Sequence, residues 1–552
     1  MSLTQECDRE RGWSEVPESK AGGPAQWLRQ LPKSTTPSTL STLKLTAGAA
    51  TAGLALAAAV ATAAGPWDSG QRTAERDRAV TQEGVGGADH GRTGPAPVPS
   101  APSVLAALGA SEGGDGSGGS VPAPTAVALA DVLEPLLKDS ALGPERTASV
   151  VDAATGDTVY RSKADTAVVP ASTTKIATAT AALAALGPDH RLTTRVVAED
   201  GSGELTLVGA GDPTLTAHKN ADGAASLREL ADRTAAALKK RSSGSDAPAS
   251  DDKPAGKKDA KDAKDGKNGK NDAGKDKSSG GIKLAYDTSL YSGTAKHPLG
   301  PNDNLAPVTA LMADEGRLDD SAKGPAPRSG NPAGDAARTF ADLLADRGVK
   351  IDGAPREDKA PKKAKPLAGT SSAPLSALVE RMLTNSDNDI GEALARQVAL
   401  DAGEPASFDG AEKAVKARLD KLGLPVSGTR FADGSGLDRD DRITAQLLTG
   451  LLSAAADPKR PELRPVLTGL PVAGFTGTLA GRYDSEGAAP GTGLVRAKTG
   501  TLTGINTLAG SVVDADGRLL VFAFTASKTV APQAAQDALD RLASAIANCG
   551  CR

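Results

Sequence analysis

Residues 170–186 read PASTTKIATATAALAAL. From Ser172 to Leu186 the apolar side chains recur at helical spacing, Gly187-Pro188 closes the run, and Ser172 stands at its start as an acceptable N-cap. One helical turn puts residues i and i+3 on the same face, so inside a packed domain the Lys175 amine reaches the Ser172 hydroxyl. A free serine hydroxyl is a poor nucleophile and needs a base close by. A lysine serves only where burial or nearby positive charge lowers its pKa. The helix N-terminus adds N–H groups and a positive dipole end where an oxyanion would form. Alone, the motif also fits a capped helix with an exposed lysine, and Ser-x-x-Lys recurs at Ser41–Lys44 and Ser250–Lys253. Context separates the three, because only Ser172 opens an apolar helix.

Working outward, residues 125–137 (TAVALADVLEPLL) read as a helix, and residues 147–162 (TASVVDAATGDTVYRS) as two β-prone runs around Thr155-Gly156-Asp157, a hairpin signal. Near the other end LVRAKTGT, NTLAGSVV and LLVFAFTA read as strands, with a turn at Asp514–Gly517 and a helix from about Ala531 to Ala547. Strands joined by short turns and bracketed by helices predict an α+β domain, an antiparallel sheet flanked by helices, assembled from 124–190 and 375–552. The stretch between, 191–374, reads as a large inserted domain: ELTLVGAGDPTL is strand-like, SLRELADRTAAALKK and AGDAARTFADLLADRG are helical, and SALVERMLTN starts the next helix beyond it. Within the insert, 240–281 is a low-complexity mixture of Lys and Asp without apolar periodicity, expected to be a disordered surface loop. Its interleaved acids cancel most of the field a polyanion would need.

Two further motifs carry chemistry. Ser386-Asp387-Asn388, in MLTNSDNDIGEALARQ, joins two helical patterns, so the Ser386 hydroxyl and the Asn388 amide can project into a cleft; a second Ser-x-Asn at Ser329 lies in a Gly/Pro-rich run. Lys498-Thr499-Gly500, in VRAKTGTLTG, occurs once. A strand with Lys and Thr at its edge binds an extended peptide by strand addition, the cation drawing in a carboxylate and Gly leaving space for the ligand backbone. The order of the three motifs, each followed by the expected element, is far more specific than any one of them.

STTK, SDN and KTG together resemble the serine penicillin-recognising enzymes. Ser172 and Ser386 are 214 positions apart, and so large an insertion resembles the low-molecular-mass class C penicillin-binding proteins, the D-alanyl-D-alanine carboxypeptidase/endopeptidases. LVGAGDPTL, YDTSLYSG, FADGSGLDRDDRIT, LPVAGFTGTLAGR and VRAKTGTLTGINTLAG are similar to the same family, and the likeness runs from about Thr125 to Ala547. The resemblance implies an acyl-enzyme cycle without metal or organic cofactor on peptidoglycan stem peptides ending in D-Ala-D-Ala, with β-lactam antibiotics as inhibitors. On these positions it implies that Ser172 is acylated and Lys175 accepts its proton. Ser386 passes a proton to the leaving amine, Asn388 orients Lys175 and the substrate amide, and Lys498 supplies positive potential. Thr499, Gly500 and Thr501 form the substrate-binding strand, the two threonines holding the terminal carboxylate, and the backbone N–H groups of Ser172 and Thr501 form the oxyanion hole. The rival readings are a β-lactamase, for which no Glu-x-x-Leu-Asn pattern follows Ser386, and a penicillin-sensing or wall-binding pseudoenzyme with the same fold.

Composition bounds the rest. The 552 residues are 39% hydrophobic but only 2% aromatic, so the core must rest on Ala, Val and Leu. A formal net charge of −4, with both signs interleaved, gives no support for nucleic-acid binding. None of His90, His190, His218 and His297 sits in a recognisable Ser-His-Asp motif, although spacing does not exclude a triad formed in space; His190 is expected to pack at a helix exit. Cys7, Cys549 and Cys551 form neither a disulfide framework nor a metal-ligand set, leaving both free thiols and a strained pair open. From Leu45 to Pro66 no charged residue appears, a run about long enough to cross a hydrocarbon core of ~30 Å as a helix. Arg29, Lys33 and Lys44 precede it with no acid after Glu18, retaining residues 1–44 on the cytoplasmic side. The expectation is an extracytoplasmic enzyme, anchored by 45–66 or released after cleavage near Ala61-Thr62-Ala63, with the Gly/Pro/Ser-rich stretch 67–123 as a disordered linker.

Overall fold

The structure, a computed structural model, describes residues 123–244 and 281–550. The run 45–66, the linker up to Pro122, two of the three Ser-x-x-Lys copies, His90 and most of the Lys/Asp-rich stretch lie outside the described residues. Among the described residues no helix is long and apolar enough to cross a membrane.

In chain order the elements are α1 (Ala126–Leu137), β1 (Glu145–Asp152), β2 (Thr158–Ser162), α2 (Thr174–Leu186), β3 (Thr193–Ala198), β4 (Glu204–Val208), α3 (Leu227–Gly244), β5 (Lys283–Asp287), α4 (Pro332–Ala345), β6 (Arg356–Glu357) and β7 (Lys365–Ser371). They continue with α5 (Leu375–Asn385), α6 (Asn388–Asp401), α7 (Phe408–Lys421), α8 (Ala445–Ala456), β8 (Arg496–Leu502), β9 (Ile505–Val513), β10 (Leu519–Ser527) and α9 (Pro532–Ala547). One sheet has the order β2-β1-β10-β9-β8 and is antiparallel throughout, so its hairpin comes from one end of the sequence and three strands from the other.

Strand alternation decides what each face of this sheet covers. Ala148, Val150, Phe522 and Phe524 point to one side and pack with α1 and α9, whereas Val151, Val521 and Ala523 point to the other and meet α2 and its helical neighbours. Helix α2 is buried from Thr174 to Leu183, which a sequence of Ala, Thr and Ile with almost no charge permits. Its threonines are satisfied internally: Thr178 donates to the Gly434 carbonyl at 2.7 Å and Thr180 to the Ile176 carbonyl at 2.8 Å.

A second sheet, β6-β5-β4-β3-β7, is built wholly from residues between Thr193 and Ser371 and is mixed, with β4, β5 and β6 parallel and β3 antiparallel to both neighbours. Helices α3 and α4 cover it through Leu227, Leu230, Phe340 and Leu344. Helix α3 continues to Gly244, so the first residues of the stretch expected to be a loop from 240 are helical, and 245–280 lie outside the described residues. The ends of this segment meet: the Leu375 amide donates to the His190 carbonyl at 2.8 Å and the Ser376 amide to the Pro188 carbonyl at 2.9 Å. His190 itself is exposed, not packed at the helix exit, because that exit is closed by backbone pairing.

Candidate active site

Ser172 is not an N-cap. It is the middle residue of a 3-10 turn, Ala171–Thr173, that feeds α2, and neither Pro170 nor Thr173 makes a side-chain cap. Ala171 is held at φ +49°, a left-handed conformation that an alanine adopts at a cost of about 1 kcal/mol or more. What holds it is close packing on two sides. A Cβ on Gly500 would sit against Thr507 Oγ1 and 2.7 Å from the Pro170 carbonyl oxygen, and one on Gly436, itself at φ +84°, against the Ala171 carbonyl. Gly500 therefore lets strand β8 approach the serine turn, and the space reserved for a ligand backbone in the sequence reading is filled by protein.

Lys175 is fully buried and makes three hydrogen bonds: to Ser172 Oγ at 3.1 Å, to Asn388 Oδ1 at 2.6 Å and to the Ser435 carbonyl at 2.6 Å. Burial lowers its pKa to about 8, although the carboxylates of Asp433, Glu392, Asp387 and Asp441 pull the other way. Once deprotonated, the amine keeps two N–H groups for the two carbonyl-type acceptors and turns its lone pair to Ser172. Asn388 cannot present its oxygen otherwise, because its Nδ2 donates to the Asn304 carbonyl at 2.9 Å.

Ser386 and Asn388 sit at the junction of two helices. Ser386 ends α5 in the left-handed region at φ +59°, and the Asp387 side chain caps α6 by accepting from the Ile390 amide at 3.0 Å. Lys498 is fully buried on β8 and donates to the Thr499 carbonyl at 2.8 Å; burial, then Lys175 and Arg482, push its pKa well below the ordinary lysine value. Thr499 Oγ1 donates to Thr478 Oγ1 at 2.8 Å, and Thr501 is exposed. Ser172, Ser386, Asn388, Thr499 and Thr501 line one cleft of about 420 Å³, with the two lysines buried behind its wall. Ser329 lies elsewhere, bonded to Asp335 at the start of α4.

The chain is matched by the model of the D-Ala-D-Ala carboxypeptidase 3 (S13) family over residues 129–242 and 315–546. The chain belongs to that family. As a member of the S13 carboxypeptidases it is a serine-type peptidase, a hydrolase. A carboxypeptidase of Mycobacterium tuberculosis is 35% identical over 84% of this chain and 92% of its own length. The carboxypeptidase DacB of Mycolicibacterium smegmatis is also 35% identical, over 78% of this chain and 86% of its own. The D-alanyl-D-alanine carboxypeptidase of an Actinomadura species is 28% identical over 74% and 83%. In fold, the S13 chain is similar to penicillin binding protein 4 of Haemophilus influenzae, with a TM-score of 0.55 at 21% identity over 75% of this chain and 97% of that one.

Several residues of the S13 site escaped the sequence reading. The turn after α7 supplies the Ser435 carbonyl, and its Asp433 accepts the backbone amides of Ser435, Gly436, Leu437 and Asp438. The signal was the Asp-Gly-Ser-Gly run at 433–436, a turn sequence dense in backbone-capping residues. His297 pairs with Asp433 and the Ser435 hydroxyl donates to the same carboxylate, so a Ser, a His and an Asp do meet in space. The carboxylate stands between the ring and the hydroxyl, and Ser435 is fully buried, so no relay from histidine to serine exists there. Cys549 is disulfide-bonded, which removes it as a free thiol.

Proposed function

We propose that this carboxypeptidase releases D-alanine from peptidoglycan stem peptides, and cuts cross-links between them, through an acyl-enzyme on Ser172. The observation that carries the reading is the buried Lys175 amine 3.1 Å from Ser172 Oγ, with its other two hydrogen bonds fixed by Asn388 and Ser435. Lys175 takes the serine proton as the hydroxyl attacks the penultimate D-Ala carbonyl, and the N–H groups of Ser172 and Thr501 receive the oxyanion. Ser386, on the cleft wall, hands a proton to the leaving amine. Thr499 and Thr501 hold the terminal carboxylate, whose negative charge favours the cationic form of Lys498 behind them. Water then releases the shortened peptide, and penicillin, a mimic of the scissile bond, arrests the cycle at the acyl stage.

Incubation with a peptide ending in D-Ala-D-Ala tests the activity, with D-alanine release expected. Mass spectrometry after penicillin exposure, with Ser172→Ala as control, tests the nucleophile. An adduct on any other residue would remove Ser172 from this role, and rapid turnover of a chromogenic cephalosporin would favour a β-lactamase. We place the enzyme outside the cytoplasm on the strength of the uncharged run Leu45–Pro66 and the cations before it. Detection of Met1–Lys44 on the mature cell-associated protein would identify that run as an anchor, and loss of those residues as a cleaved signal.

A further inference from the structure

His297 belongs to the inserted segment, in the loop that follows β5, yet its ring is 2% exposed and is bonded to the turn that holds Lys175. Nδ1 accepts the Leu299 amide at 3.2 Å, so the neutral ring carries its proton on Nε2 and donates it to Asp433 Oδ2 at 3.0 Å. Phe408 packs edge-on against the ring at 5.5 Å between centroids. Asp433 in turn gathers four consecutive amides and the Ser435 hydroxyl, folding residues 433–438 into a tight turn. One product of that turn is the Ser435 carbonyl, 2.6 Å from Lys175 Nζ; another is Gly436, packed against the Ala171 carbonyl beside the nucleophile.

His297, Glu392 and Asp433 also lie close enough to suggest a cation site. The carboxylates are otherwise engaged: Asp433 by these donors, and Glu392 by the Gly434 amide at 3.0 Å and by Arg396 at 3.2 Å. The cluster is a hydrogen-bonded brace.

We propose that His297 is a positioning residue for the Ser172–Lys175 pair, holding the 433–438 turn, and through the Ser435 carbonyl the lysine, from the inserted segment. This rests on the reading that Lys175 is the base for Ser172. The charges that face the ring are Asp433 and Asp438 from the turn and Glu392 from α6, while Arg396 of the same helix covers the neighbouring Phe408 ring. Burial opposes protonation of His297, but the Asp433 hydrogen bond and these carboxylates hold its pKa above the ordinary histidine value. Removing the ring leaves the Asp433 charge one donor short, and Asp433 is the carboxylate that most strongly favours the charged form of Lys175. The neutral base then becomes scarcer.

The test is the rate of penicillin acylation as a function of pH for the full chain, H297A and H297Q, with thermal unfolding alongside. In H297A the rate at neutral pH is expected to fall about tenfold to a hundredfold. The midpoint of its rise with pH is expected to move up by about half a unit or more. H297Q, whose amide returns an N–H to Asp433, recovers the parent midpoint. An unmoved midpoint in H297A, or equal impairment of the two variants, would overturn the proposal. If H297A does not fold, the comparison of H297Q with H297N, too short to reach Asp433, decides in the same way. A parent protein without a Ser172 adduct sinks the underlying reading and this inference with it, whereas a labelled parent with an unmoved H297A profile sinks the inference alone.

Discussion

Lys175 is asked to be both a fully buried side chain and a base at its end. Burial, which lowers its pKa to about 8, makes both possible. Because only the neutral amine accepts the serine proton, penicillin acylation is expected to rise about tenfold per pH unit below 8 and to level off above it. A stopped-flow or quench series across that range reads it. Lys175→Met should cut acylation by roughly 10²- to 10⁴-fold. The same shift has a stability consequence with a definite sign. Between about 8 and the ordinary value of 10.5 the unfolded chain holds a proton on this lysine that the folded chain has lost, so folding gains stability as pH rises through that window. Lys175→Met has no such gain. The difference in unfolding free energy between the methionine variant and the parent should shift by on the order of 3 kcal/mol in favour of the parent from pH 8 to 10.5. Denaturant titrations at the two pH values measure it.

At the scale of elements, the cleft depends on how near strand β8 lies to the serine turn. Gly500→Ala puts a methyl where Thr507 Oγ1 and the Pro170 carbonyl already are. The strand must retreat or Ala171 must leave its left-handed conformation, and either moves Ser172. A loss of about 1–3 kcal/mol is expected, together with a fall in penicillin labelling at a temperature where the variant is still folded. Denaturation and labelling on the same sample check both. This contact also marks where sequence stopped being informative. All five strands of the first sheet and α2 were readable, the strands as β-prone runs bounded by turns and α2 as an apolar run closed by Gly187-Pro188, and the serine, asparagine and lysine motifs because each sits at the start or edge of an element. The role of Gly500 was not readable, since its neighbours Pro170 and Thr507 lie hundreds of positions and a few positions away respectively, and a missing Cβ says nothing of what occupies its place. Strands β3, β5 and β7 were missed for a related reason: Lys283–Asp287 and Lys365–Ser371 are short, and their pattern gains meaning only beside their partners.

For the molecule as a whole, the inserted segment is wired into the site it interrupts. The Asn304 carbonyl orients Asn388 and His297 braces Asp433. Arg328 pairs with Asp389 at 3.0 Å and with Glu315 at 3.8 Å, where Arg317 and Arg381 also converge on Glu315. Arg328, Glu315 and Asp389 are nearly solvent-free, and burial pushes Asp389 up to about 7 and Glu315 up to about 9, so Arg328→Met, which removes a cation that favours the Asp389 carboxylate, should cost about 1–3 kcal/mol by chemical denaturation. The chain enters and leaves the segment at one place, where the Leu375 amide is bonded to the His190 carbonyl. Residues 191–374 can therefore be replaced by a short glycine linker without stretching the backbone. If the segment only shaped the approach to the cleft, the excised protein would keep its penicillin acylation rate. Because Asn388 then lacks the acceptor that fixes its amide, and Asp433 the ring that fixes its carboxylate, Lys175 loses the definition of two of its three partners. We expect the excised protein to be acylated at least about a hundredfold more slowly than the parent, even where circular dichroism shows its sheet and helices retained. Acylation at the parental rate would mean that the serine, the lysine and the sheet suffice and that the insertion serves the substrate alone.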